Sequence, residues 1–148
     1  MRKWRSLLVT AAVGIVVFCF AEVLPAQQVD RPSDGVSAVN VSGQWRGAWR
    51  RVAGSGRGAI VATITQSGST LTGEVTVKST PCGDLIVPVK GVVSGTVVDV
   101  KGPFTCEGRR QQLRFQGGEY RNVFIGGGFF VYQGGLVDDG GSFYMNKE

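Results

Sequence analysis

The stretch Asn40-Val-Ser-Gly-Gln-Trp-Arg-Gly-Ala-Trp-Arg-Arg-Val52 decides how the rest of the chain is read. It brings Trp45 and Trp49 together with Arg46, Arg50 and Arg51. Successive side chains of an extended strand point to opposite faces. Read that way, Gly43, Trp45, Gly47, Trp49 and Arg51 share one face, and Gln44, Arg46, Ala48 and Arg50 share the other. The cluster therefore splits: the indoles go one way and most of the guanidinium groups go the other. A surface for single-stranded nucleic acid needs aromatic and basic groups side by side, so no nucleic-acid partner is expected.

The same period of two continues downstream. Ile60, Ala62 and Ile64 alternate with polar residues, as do Leu71, Gly73, Val75 and Val77. Val87, Val89, Gly91 and Val93 follow, then Leu113 and Phe115, then Phe143 and Met145. Such alternation marks half-buried strands. The runs predict about eight strands, at 42–52, 58–66, 70–78, 86–94, 96–104, 111–117, 122–132 and 141–147. No stretch between them is long enough for a crossover helix, so consecutive strands pair as an antiparallel meander. Closing the meander removes both exposed edges. The expected fold class is all-β, an antiparallel up-and-down barrel of about eight strands preceded by a signal peptide.

Upstream, the chain has a different character. Arg2, Lys3 and Arg5 precede Leu7–Phe20, fourteen residues in which only Thr10 is polar. A small residue stands at Ala21 and again at Ala26, the pattern of a cleaved secretory leader. The expected organisation is a signal peptide over 1–26, a flexible tail over 27–40 and a barrel domain over 41–148. With Arg2, Lys3, Arg5 and Glu22 removed, the net charge of +5 falls to +3, so the mature protein is only mildly basic. The expected location is secreted or periplasmic. Cys19 leaves with the leader, and the two remaining cysteines of an exported domain, Cys82 and Cys106, are expected to form a disulfide. The loop they close is worth about 3.5 kcal/mol in the chain-entropy model.

Chemistry is sparse. The chain has no histidine, which removes the Ser-His-Asp triad and the common zinc sites. Asp138-Asp139 reads as a turn in a glycine-rich loop, and Gly126-Gly-Gly128 has no following helix to cradle a phosphate. No catalytic residue, metal or cofactor is expected, and the protein is not expected to be an enzyme.

Val41-Ser-Gly-Gln-Trp45 at the start of a meander resembles the Gly-x-Trp opening of the calycins, the lipocalin and avidin barrels. Gly68-Ser-Thr-Leu-Thr-Gly73-Glu-Val75 resembles the avidin third strand, with Val75 where avidins usually carry tyrosine. The resemblance implies a ligand-binding barrel with Trp45 packed at its closed end. It also implies a late basic residue stacked on that tryptophan, for which Lys147 is the candidate. The departures are informative. No tryptophan follows Trp49, and Arg46-Gly47-Ala48 replaces the polar residues that hold biotin in avidins, so biotin is not expected.

These readings give Trp49, Arg51 and Phe115 as the ligand-binding candidates and Trp45, Gly43 and Gly47 as structural ones. Gly47 is expected to leave unfilled width at mid-barrel. The short segments around Gly68 and Gly95 set a closed end. Longer loops at 53–57, 79–85, 105–110 and 133–140 are expected to frame an open one. The expected occupant is a small apolar ligand. The other reading is a protein partner engaged by the tail or the rim around a self-filled core. Secreted bacterial metalloprotease inhibitors, also calycin-like, share with this chain Ser-Gly-Gln-Trp, size and cysteine count.

Overall fold

The computed structural model describes residues 39–148; the expected leader, and the tail as far as residue 38, lie outside the described residues. Eight strands follow one another: β1 (Gly43–Arg51), β2 (Arg57–Ser67), β3 (Thr70–Thr80), β4 (Gly83–Ser94), β5 (Val97–Cys106), β6 (Arg109–Tyr120), β7 (Phe124–Gln133) and β8 (Leu136–Lys147). Each pairs antiparallel with the next, and β8 returns to β1 to close the barrel. The all-β meander expected from the alternation is the fold observed.

Parity along the strands builds the interior. Trp45, Trp49, Ile60, Leu71, Val87, Phe115, Phe129 and Phe143 are all buried, while their chain neighbours face outward or lie at intermediate depth. The outer face carries Arg46, Arg50, Lys78, Lys90 and Lys101, all exposed within strands. A membrane-spanning barrel carries an apolar band there instead.

One end is stoppered by the chain itself. Val39 donates its backbone N–H to Gly95 O at 3.2 Å, and Val41 donates to Gln66 Oε1 at 2.8 Å. The Val41 side chain is fully buried, and Val39 packs against the core. Val39, within the expected flexible tail, thus packs at the barrel floor. Glu119, buried at the same end, accepts a hydrogen bond from the Asn122 backbone N–H.

At the opposite end the loops are shorter than expected. Only Val52–Gly56 is a true loop; the other three connections are the two-residue turns Pro81-Cys82, Glu107-Gly108 and Gly134-Gly135. Glu107 and Gly108 have φ of 50° and 75°, and Gly134 and Gly135 have 59° and 84°. Positive φ at both central residues is what a tight type I′ hairpin requires. The strands therefore run on to the rim, and strand walls rather than loops build the open end. Asp138-Asp139 lies within β8, not in a turn. A register shift between Val131↔Asp139 and Tyr132↔Val137 leaves Asp138 as the extra residue of a β-bulge.

Between β4 and β5 the pairing stops short of this rim. The β4–β5 ladder runs only from Lys90↔Lys101 to Ser94↔Val97. Pro88 and Pro103 lie just beyond its end, and proline cannot donate to a ladder. Continuing that register would set Cys106 opposite Leu85. Instead Cys106 is disulfide-bonded to Cys82, with Cα atoms 5.5 Å apart. The expected disulfide is present, and it ties the β3–β4 turn to the end of β5, beyond the point where the β4–β5 hydrogen bonds have stopped.

Candidate functional site

The interior divides into a filled half and an empty half. Toward the floor lies a void of about 20 Å³, lined by apolar side chains such as Val41, Ile60, Val75 and Met145. Toward the rim, a cavity of about 420 Å³ opens to solvent. Pockets that hold small molecules run from about 300 to 1,000 Å³.

Its base is aromatic. Trp49 meets the Phe129 ring edge-on at 5.8 Å between centroids, and Phe115 packs against both Phe129 (6.4 Å) and Phe143 (5.2 Å). Leu113, Val131, Val77, Leu85 and Phe104 complete the apolar wall. The Trp49 indole is fixed to the wall: its Nε1–H donates to Lys78 O at 2.9 Å. That bond crosses β2 at Gly58, where a Cβ would come within 2.6 Å of Trp49 Nε1 and 2.1 Å of Lys78 O. Only glycine at position 58 leaves the indole this route.

A polar collar sits above. Gln111 donates from Nε2 to Gln133 Oε1 at 3.0 Å. Arg51 comes from the end of β1 and faces Asp139 of β8, Nε to Oδ2 at 2.8 Å. The contact is an ion pair, and the Arg51 Nε is shielded from solvent. Arg109, Glu107 and Asp138 line the same mouth.

All three ligand-binding candidates, Trp49, Arg51 and Phe115, line this one cavity. Trp45 lies on the floor side, fully buried. Its Nε1–H donates to Val41 O at 2.9 Å, and Lys147 Nζ stands 5.4 Å from its ring centroid. Lys147 thus occupies the place that the calycin resemblance implies. Gly43 has a φ of 129°, and a Cβ there would lie 3.1 Å from Lys147 Cε.

Gly47 does not leave mid-barrel space. A Cβ at Gly47 would fall 1.8 Å from Tyr144 O, because the β8 backbone already fills that volume. The room for a ligand comes instead from the rim end of the barrel, where Thr80, Gln133 and Asp139 stand in place of large apolar groups. Phe129 is a lining residue that the alternation does not assign, and Asp139, expected in a rim turn, lines the cavity from within a strand. In Phe129-Phe130-Val131 both parities are apolar, and Asp139 reaches the interior only through the bulge.

No protein-family model matches the chain, and no curated protein matches it.

Proposed function

We propose that this chain is a secreted, non-enzymatic barrel that holds one small, largely apolar ligand in the cup above Trp49. The observation that carries the reading is the half-empty interior: an aromatic base under a cavity of about 420 Å³ with polar groups only at its mouth. A self-filled eight-strand barrel would be packed to the rim. Export is supported by the leader-like start and by the disulfide, which persists in oxidising compartments. The non-enzymatic reading is supported by the absence of histidine from the sequence and by a core that, among the described residues, holds no nucleophile–base pair.

The test is a titration with fatty acids, flavonoids and hydrophobic dyes, followed by tryptophan emission and repeated with Trp49→Phe. A saturable change that disappears in the variant supports the cup. Silence across the panel would transfer the case to a protein partner. Val39 and Val41 anchor the chain at the floor, the end opposite the cup. Deleting residues 27–38 should therefore abolish tail-mediated partner binding and leave ligand binding intact.

A further inference from the structure

We propose that the Phe115 ring is the depth stop of the cup, and that it restricts the occupant to a compact compound of two or three rings, barring long acyl chains from full enclosure. This deepens the ligand-binding proposal above and rests on it.

The first observation is a partition. Among the described residues, Phe115 alone lines both the cavity of about 420 Å³ and the floor void of about 20 Å³. The ring is buried between Phe129 at 6.4 Å and Phe143 at 5.2 Å, so aromatic neighbours hold it in place. Beneath it the void has room for about one water, not for a methylene chain. The next inward position of β6 is Gly117, which carries no side chain, so on this strand Phe115 itself is the barrier.

The second observation is depth. Arg51 ends β1 two residues beyond Trp49, and Cys106 ends β5 two beyond Phe104. Thr80 ends β3 three beyond Val77, and Arg109 begins β6 six before Phe115. At about 3.3 Å per residue, on strands tilted by about 35–45°, these walls rise roughly 5–15 Å above the aromatic layer. With bonds of about 1.5 Å meeting at about 111°, an extended alkyl chain advances about 1.25 Å per carbon, so sixteen carbons need about 19 Å. Such a chain overruns the cup and leaves its end in water. Two or three joined rings span no more than about ten such carbons and lie within the walls.

The base also suits a ring. Phe115 and Phe143 cross at 80°, and Trp49 and Phe129 at 88°. An incoming aromatic ring extends this edge-to-face array, the arrangement that aromatic pairs prefer. A rigid ring also gives up less rotational freedom on enclosure than a chain folded back on itself.

The experiment loads the protein with N-phenyl-1-naphthylamine, a neutral three-ring dye whose emission rises in apolar surroundings. The dye is then displaced with 1-alkanols of six to fourteen carbons. The head group is constant, so only length varies. Affinity should rise about fourfold per methylene up to roughly ten carbons and then level off, and the dye should bind more tightly than any alkanol. In Phe115→Ala the break should move roughly two to four carbons longer, the reach of one two-residue repeat of about 5 Å. Phe115→Leu keeps more bulk, should move the break less, and carries the test if the alanine variant does not fold. A wild-type series that climbs unbroken to fourteen carbons, or a break that stays put in the folded variants, would overturn the depth stop and leave the cup standing. An alkanol that outbinds the dye would overturn the ring preference. If neither dye nor alkanols bind while other panel compounds do, the inference fails alone. If nothing in the panel binds, the cup itself fails and the inference falls with it.

Discussion

Trp45 and Trp49 lie four residues apart on the same face of β1, yet one is sealed in the floor and the other forms the base of an open cup. Trp45 is enclosed on every side, bonded to Val41 and covered by Lys147. Trp49 has the cavity above it. Truncating Trp45 leaves a hole that the tight lower barrel cannot collapse, whereas truncating Trp49 enlarges a space that water already reaches. Trp45→Ala should cost about 3–5 kcal/mol, the range for a buried aromatic. Trp49→Ala should cost less stability but remove most ligand affinity. Urea denaturation of both variants beside the wild type checks the order; a reversed order would contradict this division of the interior.

The Cys82–Cys106 bond stands where the β4–β5 ladder has ended. Replacing both cysteines by serine should lower stability by about 2–4 kcal/mol, the usual worth of such a link. The loss should be local. Amide exchange should accelerate in 83–89 and 102–106 and change little in 90–94 and 97–101, where the ladder persists. Uniform acceleration around the barrel would mean that the bond acts only on the unfolded chain.

On the outer wall, Arg114 hydrogen-bonds Asp99 and so holds that carboxyl below its ordinary value of 3.8. A depressed carboxyl pKa stabilises the fold above the unfolded-state value, and the contribution is lost as pH falls through the folded-state value. Both side chains are partly exposed, at 34% and 26%, so the pair is worth about 0.2–1 kcal/mol. Asp99→Asn should therefore lower the urea midpoint slightly at neutral pH, and the difference from wild type should vanish once the pH is well below 3.8. A difference that persists unchanged in acid would assign the effect to packing.

The sequence shows the barrel clearly because alternation is a local property: Leu71 to Val77 or Val87 to Val93 can be assigned to the core without knowing their partners. It also places Trp49, Arg51 and Phe115 on the inward face for the same reason. What it conceals depends on long-range geometry. Gly47 reads as empty space until the β8 backbone is laid against it. Asp139 reads as a turn residue until the bulge at Val131 carries it inward to Arg51. The rim reads as loops because Ser79–Leu85 and Gln133–Gly140 are rich in turn residues, although two residues suffice to make each turn. Phe129 and Phe130 are adjacent and both apolar, so only register decides which of them faces the ligand space.

The most direct test of the cup is methyl-resolved NMR of the protein titrated with the same panel of fatty acids, flavonoids and dyes. Leu113, Val131, Val77 and Leu85 line the upper cavity, whereas Leu71, Val89 and Val93 are fully buried outside it. The account predicts saturable shifts confined to the first group, with the floor methyls and the exposed Ile86 and Val92 unmoved. Absence of saturable shifts with every compound, or shifts centred on the floor or the outer wall, would contradict it.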